Sequence, residues 1–405
     1  MEKTVCELFA GVGGFRLGLE RLHSNWETVW FSQWEPKAAT QWAHDCYVQH
    51  FGESKDINGN ITTGIDIAEV EKSAIPNHNL LVGGFPCQDY SVAHGLSNEM
   101  GIHGKKGVLW WQIYETILAK RPAFCLFENV DRLLKSPSTQ RGRDFGIMLT
   151  CLNELGYSVE WRVVNAALYG AAQRRRRVFI FAYRNDTQYA QAQQNLTEHE
   201  IISTEGFFAK TFPINPIGAI SSCSVSESPI VATESFKFDF CNAGYMSNGK
   251  ISTVTIKEIE EVPITLGEIL EHDVDESFYI SDEKMEKWVY LKGSKKIPRI
   301  ASNGHEYIYS EGPVAFPDAW DKPGRTMLTS ESTLNRSTHV VEDLDTHRLR
   351  LLTPVEAERL QGFDDNWTNS GMTKRMRYFC MGNALVVPMI TRMGQTLNPI
   401  IEAEN

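Results

Sequence analysis

Short apolar runs alternate along this chain with glycine-marked or polar breaks. Val5-Cys6-Glu7-Leu8-Phe9 reads as a strand, Ala10-Gly11-Val12-Gly13-Gly14 as a tight turn, and Phe15-Arg16-Leu17-Gly18-Leu19-Glu20 as the start of a helix. Val29-Trp30-Phe31-Ser32, Leu80-Leu81-Val82, Phe124-Cys125-Leu126-Phe127 and Val178-Phe179-Ile180-Phe181 are further runs of strand length. Continuous apolar runs suit strands covered on both faces, whereas residues 108 to 118, ending before Arg121-Pro122, follow an amphipathic helical period. This alternation predicts an α/β protein built on a doubly wound sheet. Thr353-Pro354-Val355-Glu356 opens a later helix, with Thr353 as cap, Pro354 in the first position and Glu356 in capping-box register.

Composition shifts after Tyr183. Residues 186 to 290 are polar and acid-rich, with the serine patch Ser221-Ser222-Cys223-Ser224-Val225-Ser226 and the clusters Glu258-Ile259-Glu260-Glu261 and Asp273-Val274-Asp275-Glu276. Two domains are therefore expected: a larger one from residues 1–185 and 345–405, and a smaller one inserted at 186–344. With 405 residues, 42% of them hydrophobic, the chain can bury a large core. Met1-Glu2-Lys3-Thr4 leads straight into the first strand and no run has transmembrane length, so a cytoplasmic protein with no membrane partner is expected. Eight scattered cysteines without a C-x-x-C pair fit a reducing compartment and suggest no metal site. The net charge of -11 argues against nucleic acid unless local patches overcome it. Lys292, Lys295, Lys296 and Arg299 form one such patch, with a solvated turn as the plainer alternative.

The chemistry centres on Gly83-Gly84-Phe85-Pro86-Cys87-Gln88-Asp89-Tyr90-Ser91, where a lone thiol follows a strand-like run. Open α/β sheets build their sites at strand C-terminal ends, and Pro86 stiffens the backbone that presents Cys87. A reactive thiol must form a thiolate, whereas a buried, inert cysteine is the plainer alternative. Polar Gln88, Asp89 and Ser91 around it favour the nucleophile. The turn at Gly11, Gly13 and Gly14 permits close backbone approach to a nucleotide-like ligand. Glu35 follows the second strand at the separation where such folds place a carboxylate on ribose hydroxyls, and Asp66-Ile67 comes after it. Together they favour a cofactor carrying adenosine. Nicotinamide competes, but the spacing lacks the dinucleotide fingerprint G-x-G-x-x-G.

Phe9-Ala10-Gly11-Val12-Gly13-Gly14 with Gly84-Phe85-Pro86-Cys87-Gln88 resembles the DNA (cytosine-5)-methyltransferase family, of the prokaryotic or phage type. Glu128-Asn129-Val130, Gln173 to Arg177, Arg350 to Phe363 and Gly382-Asn383-Ala384 follow in the family's order. The matches span residues 5 to 390 and spare roughly 186 to 320, as that family's variable target-recognition region would. The resemblance implies a Rossmann-like methyltransferase fold, S-adenosylmethionine as cofactor, and C5 of a flipped-out cytosine in double-stranded DNA as methyl acceptor. It also implies a cognate restriction enzyme in some settings; a monomer is expected, because one flipped base needs only one subunit.

Each motif then has a chemical reason. C5 of cytosine is a poor nucleophile, so Cys87 would add to C6 first. Glu128, ending its apolar run, is the candidate to hold N3, and Asn129 resembles the family residue that positions the catalytic segment. Arg175 and Arg177 fall on the family's Q-x-R-x-R positions, implying contact with the ring oxygen and the carboxylate. If a strand begins at Gln173, then Gln173, Arg175 and Arg177 share one face, and Arg174 and Arg176 point the other way, toward phosphate. Phe9, Gly11, Gly13, Gly14, Glu35, Asp66, Ile67, Pro86 and Asn383 are the expected cofactor residues, with Asn383 capping a helix. Gln88, Ser91, Lys105, Lys106, Arg174, Lys295, Lys296, Arg325, Thr326 and Arg336 are the expected DNA contacts. The glycine-rich stretch 92 to 107 suits a lid over a flipped nucleotide, or an ordinary surface loop. Three alternatives remain: a tRNA-methylating relative, a non-catalytic DNA-binding member, and a nicotinamide oxidoreductase.

Overall fold

The computed structural model describes residues 1–85, 109–300 and 304–404. Cys87, Pro86, Gln88, Ser91, Lys105 and Lys106 lie outside the described residues. Two compact units emerge: Met1–Tyr169, Arg176–Glu261 and Val387–Asn405 form the first, Gly170–Arg175 and Val262–Val386 the second.

The first unit holds strands β1 (Thr4–Leu8), β2 (Glu27–Ser32), β3 (Leu80–Gly84), β4 (Phe124–Val130), β5 (Tyr157–Asn165), β6 (Arg176–Arg184), β7 (Ser221–Ser224), β8 (Ala243–Ser247) and β9 (Lys250–Val254). Among the described residues they make one sheet, in the order β2-β1-β3-β4-β6-β5-β8-β9-β7. β1 pairs in parallel with both β2 and β3, and β3 with β4, whereas β6 and every strand beyond it pair antiparallel. From β1 the chain passes through helix α1 (Gly14–Glu20) to β2 on one side, then crosses back to β3 on the other. The β1/β3 boundary is thus a topological switch point, where open α/β sheets take their ligands. Helices α2 (Trp42–Phe51), α3 (Leu109–Lys120) and α4 (Arg143–Glu154) bury apolar faces such as Trp110, Ile113 and Ile117 of α3. Phe124 to Phe127 are all fully buried, as the unbroken apolar run implies for a doubly covered strand.

The packing divides the chain elsewhere than at 186 and 345. Residues 186–261 join the first unit because β8 continues the ladder on β5, with Trp161 opposite Gly244. A Cβ at Gly244 would lie 2.1 Å from the indole, so only glycine lets Trp161 lie across β8. Phe145, Trp161 and Phe240 then meet edge to face at centroid distances of 4.9 to 5.6 Å. The serine patch becomes β7, the edge strand, whose sparse burial explains its polarity. At the other boundary, 345–386 cluster with the second unit, and only the helix Val387–Ala403 returns to pack on α1. A Cβ at Gly18 would stand 2.6 Å from that of Ile390, so glycine sets the closeness of those two helices.

The second unit contains α5 (Asp282–Lys292), the hairpins β10 (Lys295–Ile300) with β11 (Glu306–Glu311) and β12 (Val340–Glu342) with β13 (Leu349–Leu351), α6 (Pro354–Gln361) and α7 (Lys374–Asn383). Thr353 caps α6 with a reciprocal bond to Glu356, Pro354 stands in the first turn, and Gly362 closes the helix at φ 78°. Arg350 lies fully buried between Asp343 (Nε to Oδ2 2.7 Å) and Glu356 (Nη2 to Oε1 2.7 Å), which fastens β13 to the start of α6. Burial alone would disfavour those charges, and two carboxylates against one guanidinium keep them ionised.

Candidate active site

β3 and β4 lie side by side in parallel, with Gly84 paired to Glu128. That register sets the end of the strand preceding Cys87 against the candidate carboxylate. A Cβ at Gly84 would come within 3.3 Å of Glu128 Oε2, so glycine there leaves the carboxylate its room. The adjacent Asn129 donates from Nδ2 to the carbonyl of Phe85 at 2.9 Å, holding the backbone two residues ahead of Cys87. Phe85 is buried beside Trp110 and Phe127, at centroid distances of 6.1 and 6.3 Å.

Arg177 on β6 reaches Glu128 from the opposite side, Nε to Oε1 2.8 Å, with both side chains largely shielded from water. Its Nη1 donates to the carbonyl of Arg176, which limits the rotamers open to it. The arginine run does not form one strand: β6 begins at Arg176, while Gln173 to Arg175 belong to the second unit. There Gln173 is fully buried, accepting from the Met327 amide at 2.9 Å and donating to the Leu360 carbonyl. Arg175 is buried as well and donates to the carbonyls of Met327 (3.1 Å) and Gly382 (3.0 Å). Burial does alternate with exposure as expected, since Arg174 and Arg176 are exposed. Arg176, however, pairs with Asp131 at 3.2 Å, an exposed contact of small worth.

At the C-terminal end of β1, Phe9, Gly11 and Gly13 all take positive φ, at 55°, 57° and 88°. A left-handed phenylalanine is costly and marks a turn held for a purpose. A Cβ on Gly11 would meet nothing within 4 Å, so open space lies on that side of the turn, and the Gly11 amide donates to Gln33 Oε1 at 2.7 Å. Gly13 is crowded instead, with a Cβ there 2.5 Å from Phe51. Glu35 follows β2, its carboxyl pushed up by burial, and Asp66 accepts from the amide of Ala68 at 3.0 Å ahead of buried Ile67. An open glycine turn beside a partly buried carboxylate at the switch point fits an adenosine-bearing cofactor. Asn383 departs from its expected part: it is the last residue of α7 and caps no helix start.

Sequence reasoning passed over Glu7, Tyr47 and Arg16 behind the glycine turn. Glu7 is buried on β1, and its Oε2 accepts from the Tyr47 hydroxyl at 3.0 Å. Burial pushes its carboxyl up to about 8. The Tyr47 ring stacks on Phe31 at 3.9 Å, and the Arg16 guanidinium lies over Phe51 at 4.4 Å. A charged letter inside an apolar strand run was the available signal.

Several expected DNA contacts hold the second unit together instead. Arg325 makes two bonds to Asp318 (2.6 and 3.0 Å) and reaches the carbonyls of Ser337 and Thr338. Arg336 donates to the carbonyls of Leu291, Gly293 and Gly312, and Thr326 Oγ1 to that of Arg174. Lys292 is buried and bonded to the Thr338 carbonyl, and burial pushes its amine down to about 8. Lys296 is exposed, and Lys295 Nζ lies 4.6 Å over the Tyr290 ring. No described helix is long and apolar enough to cross a membrane.

Two solved structures share the fold: a methyltransferase of Entamoeba histolytica, EhMeth (TM-score 0.59, 16% identity, 98% of each chain), and a DNMT2 variant of Spodoptera frugiperda (TM-score 0.60, 15% identity, 98% of this chain and 99% of that one). Among curated proteins, the type II methyltransferase M.Sau3AI of Staphylococcus aureus is 50% identical over 99% of this chain and 97% of its own length. The type II methyltransferase M.NgoBI of Neisseria gonorrhoeae is 28% identical over 96% and 91%. The family model described as C-5 cytosine-specific DNA methylase matches residues 3–398. With its open glycine turn and its Glu128–Arg177 pair on a methyltransferase sheet, the chain belongs to the C-5 cytosine-specific DNA methylase family and is a DNA cytosine-5 methyltransferase of restriction-modification type.

Proposed function

We propose that the protein methylates C5 of a flipped-out cytosine within one short duplex sequence, using S-adenosylmethionine and a transient bond between Cys87 and C6. The observation that carries this reading is the Glu128–Arg177 pair, 2.8 Å apart, at the strand end beside Gly84. The Cys87 thiolate adds to C6, and the C5–C6 π pair moves toward C5 and N3. Glu128 meets N3 through a hydrogen bond, and Arg177 fixes that carboxylate's orientation. Asn129 holds the Phe85 carbonyl and so limits where the following Pro86-Cys87 segment can travel. S-adenosylmethionine, when bound, supplies an electrophilic methyl group on a sulfonium. Removal of the C5 proton then lets the Cys87–C6 bond break, returning the thiol and leaving 5-methylcytosine.

The cofactor would lie along Phe9, Gly11, Gly13 and Gly14, with Glu35 on the ribose hydroxyls and Asp66-Ile67 near the base; Pro86 and Asn383 are assigned to the same ligand on the family motifs. Arg175, buried against Met327 and Gly382, acts as a brace for the target-recognition side. Recognition is assigned to residues 186–344, in the part of them that belongs to the second unit, with Gln88, Ser91, Lys105 and Lys106 on the flipped nucleotide. A monomer suffices for one base, and an endonuclease cutting the same site is the expected counterpart in the cytoplasm.

Bisulfite sequencing of DNA from a methylase-free host, expressing either this chain or its Cys87→Ala variant, tests the reading. Protected cytosines in one motif, lost with the variant, are expected. Full conversion in both, with folded protein present, overturns it.

A further inference from the structure

The β10–β11 hairpin is exposed in a way that a two-stranded ribbon does not survive without a purpose. Among the described residues its strands pair only with each other, from Lys295 opposite Glu311 to Ile300 opposite Glu306. Directly opposed residues share a face, which divides the ribbon in two. One face carries Lys295, Ile297, Tyr309 and Glu311, all partly covered. The Lys295 amine lies 4.6 Å over Tyr290 of α5, and the Arg299 guanidinium 3.9 Å over Tyr309. The opposite face carries Lys296, Pro298 and Ile300 of β10 with Glu306, Ile308 and Ser310 of β11, and all six are exposed. Ile300 is 70% and Ile308 64% accessible.

The ribbon is rooted at one end only. Arg336 ties Leu291 and Gly293, at the end of α5, to Gly312 just past β11, and the Val314 amide donates to the Lys292 carbonyl at 2.8 Å. Stacked cations stiffen one face, the root is clamped, and the other face meets solvent with an apolar row. An open, apolar ribbon edge invites aggregation unless a partner covers it.

We infer that the outer face of this ribbon enters the major groove and selects the target sequence, an inference that rests on the sequence-specific DNA methylation proposed for the protein. Charge identifies the occupant. Between Lys284 and Arg299 stand six cations and one acid, Glu286, in a chain of net charge -11. A major groove about 12 Å wide admits a two-stranded ribbon. The side-chain types on the outer face match what base edges present: Lys296 for guanine acceptors, Glu306 for the cytosine amino group, Ser310 for either, and Pro298, Ile300 and Ile308 for thymine methyls. Lys295 and Arg299, committed to aromatic rings, shape the ribbon and do not read bases.

The test compares full-length wild type with an Ile300→Ala/Ile308→Ala variant and with Lys296→Gln, all solvent-facing changes whose melting temperatures should match wild type. Methylated motifs are mapped by bisulfite sequencing, and affinity is measured for the mapped duplex and a scrambled one. The expected result is a cognate affinity weaker by about tenfold or more, unchanged scrambled affinity, and a motif relaxed at one or two positions. If wild type methylates one motif and both variants methylate the same motif with unchanged affinity, the ribbon is not the reader while the methylation reading stands. If those variants instead change the sedimentation mass without changing DNA affinity, the face docks a second copy and the inference falls. Wild type that methylates no motif refutes the parent reading, and the ribbon assignment with it.

Discussion

Nε of Arg177 lies 2.8 Å from Oε1 of Glu128 because antiparallel pairing sets Val130 opposite Arg177 and Glu128 opposite Phe179. The two charged side chains are diagonal neighbours on one face of the sheet, within reach of each other only through that register. Glu128→Gln keeps the shape and removes the charge, so kcat should fall by about 10²- to 10⁴-fold while the melting temperature moves little. Arg177→Ala should lower kcat similarly, and Arg177→Lys should restore part of it. A Glu128→Gln enzyme with wild-type turnover would remove Glu128 from the chemistry.

Two neighbouring glycines of β3 should respond differently. An alanine at Gly84 brings its methyl within 3.3 Å of Glu128 Oε2, a group that can yield by a few tenths of an ångström, so Gly84→Ala should fold and lose turnover as the carboxylate shifts. An alanine at Gly83 would stand 2.9 Å from the Leu8 carbonyl oxygen, inside the β1–β3 pairing, so Gly83→Ala should destabilise by about 1–3 kcal/mol. Urea denaturation and steady-state kinetics on the same two proteins separate the effects; equal stability for both would contradict the packing at Gly83.

Gly11→Ala probes the cofactor cradle. The added methyl meets no protein atom within 4 Å, so any loss comes from the positive φ of 57°, about 1–2 kcal/mol, and from the space the methyl fills. Calorimetric binding of S-adenosylhomocysteine should weaken by tenfold or more on the order expected for a strained, blocked turn. Unchanged binding would place the cofactor elsewhere.

Glu7 makes stability fall with pH. Its carboxyl, buried against Tyr47 with Arg16 nearby, titrates near 8 in place of 4.5, so the folded protein holds a proton that the unfolded chain releases between those values. Its contribution is whole below about pH 4.5 and is lost as pH rises through 8, at no more than about 1.4 kcal/mol per pH unit. Urea unfolding at pH 5.5 and 8.5 should show wild type losing more stability than Glu7→Gln across that interval. Parallel losses in the two proteins would show that Glu7 is ionised in the folded state.

The strands β1 to β4 and β6, the glycine turn, the cap at Thr353 and the chemistry expected of Cys87, Glu128 and Arg177 were legible in the sequence because each rests on local order. An apolar run buried on both faces, a turn that needs positive φ, or a motif of adjacent residues carries its meaning within a few positions. The tertiary structure alone decided what depended on partners far along the chain. Residues 186–261 read as a separate polar domain, yet β8 completes the ladder of β5, and a polar edge strand such as β7 looks like a loop in sequence. The run Gln173 to Arg177 is continuous in sequence and divided in space, so Arg175 braces Met327 and Gly382 while Arg177 meets Glu128. Arg325 and Arg336 have the charge of phosphate contacts, and only folding revealed the carbonyls and carboxylates that already claim them. A residue's type determines what it can do, but the side chains brought beside it from distant segments determine which of those things it does.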